Sequence, residues 1–438
     1  MRAPCVSALV VLLLGGIGAG ALSAQDKPAR KPNIVFILAD DVGYGDFGFT
    51  GHPYAKTPTI DKLAKQSVFF KNFYVSGPVC SPSRTGLTTG RFPATFQKIP
   101  ASHGFSGAIT VTDLLKQMGY RTAHFGKWHI GPDQKMGTYG IDVIKEMRGE
   151  RKEPRGRDAH ITDAVIEFLR ASKGKSEPFY VNVWYHTVHN PVNPPQPFVD
   201  RFKGLKVNIG DFQHTTADNL LELKKSGEDI DLGMRKHLGD LSHLDEQVAR
   251  LLQVLDELGM ADDTIIIFTS DNGPHGVGSA GIFRGAKHSL YDGGVHLPLL
   301  IRWPGHVQAG RVDGTSVLAG VDYLPTLAKI ARAKIDASKF DGEDVSDIWL
   351  GKERPRSKDL FWRTFAPKNA PVMLRGSMKL HFVRKGAAEL YDLSKDPGQR
   401  TNIAAQNPTV VRDLTAAVIR WQSTLPKTYV GSDSDKDD

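Results

Sequence analysis

The sequence predicts an α/β fold, a mixed and mostly parallel sheet covered by helices on both faces, followed by a small antiparallel-sheet subdomain. Three observations predict it. Continuous apolar runs such as "NIVFILA" suit strands buried on both faces better than half-exposed strands, which would alternate. Segments with helical apolar spacing separate these runs, and strands alternating with helices build a parallel sheet with helices on either side. From about Gly351 the texture changes to short strand-like runs divided by turns, which reads as an antiparallel unit.

The elements follow in order. Residues 1–24 read as a signal peptide: a basic Arg2, an apolar run from Ala8 to Leu22, and small residues before Gln25, with cleavage predicted near Ala24. The run is shorter than the about 20 apolar residues that span a bilayer, and no second run of that length follows. No stable membrane insertion is therefore expected, and the mature chain is placed outside the cytoplasm, secreted or periplasmic. Residues 25–350 read as the main α/β domain. Here "NIVFILADD" is a buried strand ending in two aspartates, and "TVTDLLKQMGY" is a helix with Thr112 as candidate cap, leading to the strand "RTAHFG" and then "KWHIG". "DAHITDAVIEFLRASKG" puts Ile161, Val165, Phe168 and Leu169 on one helix face and stops at Gly174, ahead of the strand "PFYVNVWYH". Phe198 to Glu228 has weak periodicity and reads as a surface excursion. The strongest helix is "RKHLGDLSHLDEQVARLLQVLDELGM", where Leu238, Leu241, Leu244, Val248, Leu252, Leu255 and Leu258 step by three or four. It feeds the strand "TIIIFTSDNG"; "LPLLIRW" is a further strand and "VDYLPTLAKIA" a further helix. Residues 351–438 read as the C-terminal subdomain, with short antiparallel strands, a last helix around Val410 to Thr424 and the acidic tail "GSDSDKDD".

Composition narrows the functional classes. A hydrophobic share of 40% with 24% charged residues argues against disorder and against a membrane-embedded body. The formal charge of +8 admits a polyanionic substrate as well as a plain solvated surface, and no arginine-rich tract or nucleic-acid-binding motif makes nucleic acid the partner. Of the two cysteines, Cys5 leaves with the signal peptide and Cys80 stays single, which excludes a disulfide scaffold. Cys80 is then a bystander, an intermolecular link or a chemical centre.

The polar clusters leave all three readings of Cys80 open. "ADD", "GKWH", "YHTVH" and "SDNG" all fall at strand C-terminal ends, the edge at which open α/β sheets bind ligands. Asp40, Asp41, Asp271 and Asn272 are all oxygen donors, a ligand set for a hard cation such as Ca²⁺ or Mg²⁺ rather than Zn²⁺. Two aspartates after a strand are by themselves ordinary turn chemistry. The second pair changes that reading, because three clustered carboxylates repel one another without a cation. Arg84, Lys127, His129, His189, Lys287 and Arg284 are candidates for a pocket that holds a tetrahedral oxyanion and supplies protons. A lone histidine is more often structural, and of His186 and His189 only one need face the site. Cys80 lies among small residues in a turn entering a helix, with Arg84 four positions on; a soft thiolate beside a hard cation would be unusual.

"CSPSR" followed by "LTTGR" resembles the sulfatase signature, in which a cysteine, proline, a small residue and arginine direct conversion of the cysteine to Cα-formylglycine. The resemblance continues in family order through "NIVFILADDVGYGD", "GYRTAHFGKWHIG", "VHNPVNPP", "TSDNGPHG", "RGAKHSLYDGGVHLP" and "LYDLSKDPGQRTNI". It implies a formylglycine-dependent type I sulfatase with an alkaline-phosphatase-like fold and a maturation enzyme that generates the formylglycine. The metal, Ca²⁺ with Mg²⁺ as the other candidate, would be bound by Asp40, Asp41, Asp271, Asn272 and an oxygen of modified Cys80. Arg84 would steady the hydrated formylglycine, Lys127 and Lys287 would hold sulfate oxygens, His189 or Lys287 would protonate the leaving alcohol, and His129 would assist sulfate release. In the hydrate one hydroxyl would attack sulfur with help from the metal and Asp271, and the other would later expel sulfate. The favoured substrate is a sulfated carbohydrate. A phosphomonoester or phosphonate monoester hydrolase of the same superfamily and a catalytically silent sulfoglycan-binding protein are the alternatives. Two departures from the family pattern are "PATFQKIPASHGFSGAI", between Arg91 and Thr110, and Asp292 in "YDGG", where Glu is more usual.

Overall fold

The computed structural model describes residues 1, 30–131, 135–147, 154–364, 370–382 and 388–432. The predicted signal peptide and its cleavage point lie outside the described residues. Pro32–Asp438 form one compact unit. Its main sheet has eight strands, β1 (Asn33–Ala39), β2 (Val68–Tyr74), β3 (Arg121–Gly126), β4 (Val143–Lys145), β5 (Phe179–Trp184), β6 (Thr264–Ser270), β7 (His296–Arg302) and β8 (Val312–Ala319). They lie in the order β4-β3-β5-β1-β6-β7-β2-β8, and β7 alone runs against the rest.

The continuous apolar run of β1 is explained by its two covered faces. Ile34, Phe36 and Leu38 join one core with Leu114, Leu115 and Leu324; Val35, Ile37 and Ala39 join another with Val165, Leu238 and Leu241. The helix Ile230–Glu257 supplies much of the second core and starts earlier than its leucine pattern, because Asp229 caps it by accepting from Leu232 N at 3.0 Å. The helix Val111–Gln117 is capped by Thr110 rather than Thr112: Thr110 Oγ1 accepts from Asp113 N at 3.1 Å and Thr110 N donates to Asp113 Oδ2 at 3.0 Å, a reciprocal box. The stretch Phe198 to Glu228 is more than a surface excursion. It contains the helix His214–Lys225, whose Thr215 and Thr216 hydroxyls accept from Gly285 N and Ala280 N at 3.0 and 3.1 Å.

After Gly351 four short strands, β9 (Leu360–Trp362), β10 (Val372–Arg375), β11 (Met378–Phe382) and β12 (Ala388–Asp392), form an antiparallel sheet in the order β12-β11-β10-β9. Their alternation serves two cores. Leu360, Trp362, Val372 and Leu374 join the main core, whereas Met373, Leu380 and Leu390 pack on Leu414, Ala417 and Val418 of the last helix, Pro408–Ser423. Trp362 Nε1 donates to Val75 O at 2.7 Å and ties this sheet to the larger one. Among the described residues no helix is long and apolar enough to cross a membrane.

Candidate functional site

Four adjacent strands, β3, β5, β1 and β6, end at one edge and deliver the four polar clusters together. β1 and β6 are parallel, with Ala39 opposite Ser270, so the aspartates beyond them meet by register. Asp271 N donates to Ala39 O and Asp41 N donates to Asp271 Oδ1, while Asn272 Nδ2 donates to Asp41 Oδ1 at 2.7 Å. Asp41 has φ 60°, a left-handed conformation that Asp tolerates better than most residues. Beyond β3, Lys127 N donates to Trp184 O at 2.9 Å, which sets the GKWH segment beside the end of β5.

Cys80 opens the helix Cys80–Thr89, every residue of which is buried. Its Sγ lies 3.3 Å from Asp40 Oδ1 and 3.5 Å from Lys127 Nζ. One turn on, on the same helix face, Arg84 donates through Nε and Nη2 to Asp271 Oδ2 at 3.0 and 2.7 Å and through Nη1 to Lys127 O at 2.6 Å. Lys127 Nζ is 2.8 Å from Asp40 Oδ2, and Lys287 Nζ is 2.9 Å from Asp41 Oδ2. Three buried carboxylates therefore face the buried Arg84 and the partly exposed Lys127 and Lys287.

These charges shift one another. Burial raises the Cys80 thiol well above its ordinary value, and the Asp271 and Asp40 carboxylates add to that rise against Lys127, so a reactive thiolate is disfavoured. Burial, then Asp40 and Asp41 against the opposing Arg84, pushes Asp271 up to about 6. Burial also opposes ionisation of Asp40, but Lys127, His189, Arg84 and Lys287 hold it well below the usual carboxylate range. Lys127 and Lys287 are both raised, since neighbouring anions outweigh their own desolvation.

Donor atoms of Asp40, Asp41, Cys80 and Asp271 all lie within 4.8 Å of one another, and those of Asp40, Cys80 and His189 form an overlapping group. Asn272 Oδ1 is buried without a hydrogen-bond partner among the described residues. Carboxylate and amide oxygens with one orphaned acceptor fit a hard divalent cation.

Of the two histidines left open by the sequence, His189 faces the cluster. Its Nε2 is 3.8 Å from Asp41 Oδ2 while Nδ1 lies 2.9 Å from Asn190 O; His186 instead points Nε2 at Met147 O, 2.6 Å away. His129 sits two residues past Lys127, half-buried, with φ 58°. Arg284 is the candidate that the structure does not bring into the cluster. Its guanidinium stacks 3.8 Å from the Tyr291 ring centre and donates to Tyr391 Oη and Gln399 O, because the C-terminal sheet offers acceptors on that side of the loop.

The loop carrying Lys287 is braced by residues that sequence reasoning did not assign. Asp292 accepts from Lys379 Nζ of β11 at 2.6 Å and from Tyr74 Oη at 3.1 Å, lies 2.9 Å from His296 Nδ1, and its own N–H donates to Gln399 Oε1 at 2.8 Å. A Cβ on Gly273 would come 1.9 Å from Gly293 O, so only glycine lets the turn after Asp271 and Asn272 touch this loop. The unmatched stretch after Arg91 braces the other side. Gly131 N donates to Pro100 O at 2.8 Å, and the chain end clasps the same segment through Ile99 N to Val430 O and Val430 N to Gln97 O. Asp292 was visible in the sequence as a departure; its partner Lys379 carried no local signal.

The Sulfatase family model matches residues 32–333, and the model for the C-terminal region of N-sulphoglucosamine sulphohydrolase matches residues 278–423. Human arylsulfatase A is 29% identical over 90% of this chain and 88% of its own length. An N-acetylgalactosamine-6-O-sulfatase of Bacteroides thetaiotaomicron is 27% identical, covering 92% of this chain and 96% of that protein. Among solved structures, Ps i-CgsB in complex with k-i-k-neocarrahexaose has a TM-score of 0.79 at 22% identity, covering 92% of this chain and 96% of that one, a likeness of fold. The chain belongs to the sulfatase family and is a sulfuric ester hydrolase.

Proposed function

We propose that the chain is an exported sulfatase that removes sulfate from carbohydrate esters, using a formylglycine made from Cys80 and one divalent cation, Ca²⁺ or Mg²⁺. The observation that carries this reading is the position of Cys80, on the first turn of a buried helix, against three carboxylates and the Lys127 ammonium. The hydrated aldehyde would supply two hydroxyls on one carbon, a nucleophile and a group able to expel sulfate. The cation, held by Asp40, Asp41, Asp271 and Asn272, would supply Lewis-acid polarisation.

The chain's own residues divide the remaining work. Lys127, beside Asp40, and Lys287, beside Asp41, hold sulfate oxygens and balance the charge that develops on them. Arg84 locks Asp271 against the residue-80 helix through two charge-assisted bonds that converge on Oδ2. His189 fixes its ring through Nδ1 and presents Nε2 to the site, placed to give a proton to the leaving alcohol oxygen. His129, at the rim, assists departure of the product anion. Arg284, engaged with the C-terminal sheet, takes no direct part.

Carbohydrate is favoured because the bacterial relative is named for N-acetylgalactosamine 6-O-sulfate and the structural neighbour is a complex with a neocarrahexaose, and because a chain of charge +8 suits an anionic glycan. The test is release of sulfate from a panel of sulfated monosaccharides and oligosaccharides beside matched phosphate esters. Faster turnover of at least one sulfated sugar than of its phosphate counterpart is expected; a dominant phosphate rate would make this a phosphomonoesterase of the same fold.

A further inference from the structure

His189 stands at the end of a loop, Tyr185 to His189, that leaves β5 with few backbone groups free to wander. Asp158 accepts from His186 N at 3.0 Å, from Thr187 N at 3.0 Å and from Thr187 Oγ1 at 2.6 Å. Asp40 closes the middle: its N–H donates to Thr187 O and its carbonyl accepts from Val188 N at 2.6 Å. The last group, the carbonyl of His189, accepts from Arg157 Nη1 at 2.6 Å, and Nη2 of the same guanidinium reaches Asp240 Oδ2 at 3.1 Å. Asp240 is 2% exposed and lies on the long helix Ile230–Glu257, the most extended rigid element against the sheet.

We propose that Arg157 is a positioning residue for His189, clamping the His189 carbonyl to Asp240 and thereby fixing where Nε2 stands in the cluster. The coupling is short and physical. The peptide whose carbonyl Arg157 holds leads directly into Asn190, and Asn190 O is the group that lies 2.9 Å from ring Nδ1. A rotation of that peptide displaces the ring's own anchor, and Nε2 with it. Asp158 and Asp40 hold the rest of the loop independently, so loss of Arg157 acts on the histidine end of the loop; it also leaves the buried Asp240 carboxylate without its cation, a stability cost that bears on both esters alike. The planar fork matters as well as the charge, since one ammonium cannot bond the carbonyl and the carboxylate in the same geometry.

The proposal rests on the reading of His189 as proton donor to the leaving alcohol, and the experiment separates the two. Matured, metal-loaded enzyme is assayed with 4-nitrophenyl sulfate, whose phenolate leaves without much help, and with N-acetylgalactosamine 6-sulfate, whose alkoxide needs a proton. His189→Ala is the reference: a defect confined to the sugar ester supports its role, and equal defects on both esters overturn that role and the proposal together. With the reference in place, Arg157→Met is expected to lower kcat/KM on the sugar ester by about 10- to 100-fold and on the aryl ester by no more than about threefold. Arg157→Lys should fall between Met and wild type, and Arg157→Met added to His189→Ala should cost nothing further. Equal loss on both esters from Arg157→Met, or full additivity with His189→Ala, would overturn the positioning role while leaving that of His189 intact.

Discussion

Replacing Lys379 with Met removes one half of an ion pair that is closed to water on both sides. The two side chains are 0% and 1% exposed, Nζ is 2.6 Å from Asp292 Oδ1 and 3.0 Å from Leu290 O, and the Trp362 ring centre lies 5.1 Å from it. Met conserves most of the volume, so the dominant change is an uncompensated buried carboxylate, which costs about 3–5 kcal/mol. Tyr74 and His296 still touch Asp292 and place the expected loss toward the lower end of that range. Asp292→Asn strands the ammonium instead and should cost a similar amount. The double variant replaces the pair by neutral groups and should be more stable than the sum of the single losses predicts, giving a coupling of about 2 kcal/mol or more. Guanidinium unfolding at neutral pH, followed by tryptophan fluorescence, measures all four proteins. A single-variant loss below about 1 kcal/mol, or simple additivity, would refute the reasoning that this pair is a coupled buried link between the Lys287 loop and the C-terminal sheet.

Acid stability follows from the same carboxyl. Burial alone would raise Asp292, but Lys379 and His296 hold it well below the usual range, so its contribution is fully present above the unfolded value of about 3.9 and is lost as pH falls through the lower folded value. Unfolding midpoints measured from pH 6 downward should therefore decline less steeply in Asp292→Asn than in wild type; parallel slopes would contradict this. Arg84→Lys cannot reproduce the two bonds to Asp271 together with the bond to Lys127 O, and turnover per formylglycine-bearing molecule should fall by about 100-fold. Normalising to aldehyde content separates that loss from any failure of maturation, and an unchanged normalised rate would show that Arg84 serves maturation alone. Chelation should abolish activity and lower the melting temperature, with both restored by Ca²⁺ or Mg²⁺, because a cation that binds the folded state alone stabilises it. A melting temperature indifferent to cation would count against the site.

Much of the candidate site was legible because its oxygen donors lie at the ends of apolar runs. Asp40, Asp41, Asp271 and Asn272 terminate β1 and β6, and once those strands are neighbours the register does the rest. Cys80 and Arg84 share a helix face by spacing alone. What escaped the sequence was carried by interrupted patterns or by partners distant in the chain. β2 is broken by Lys71 and Asn72 at a bulge, and β8 lies at the sheet edge with Asp313, Gly314 and Thr315 inside it, so neither shows a continuous apolar run. Thr112 looked like a cap, yet the decisive feature was Asp113, three residues after Thr110. Arg284 sits in a family-like block, but its direction is set by Tyr391 and Gln399, more than a hundred residues away. The choice between His186 and His189 likewise depended on Met147 and Asn190, groups that no periodicity reveals.

If the proposed function is right, Cys80 is a precursor and the active enzyme carries an aldehyde in its place. Its burial and the flanking carboxylates already argue against a working thiolate. Peptide mass spectrometry of residue 80 after coexpression with a formylglycine-generating enzyme, taken with sulfate release by the same preparation, tests this most directly. Sulfate release should rise in proportion to the aldehyde fraction and be absent from the unconverted protein and from Cys80→Ala. Equal sulfate release from protein whose residue 80 is wholly unmodified thiol would contradict it.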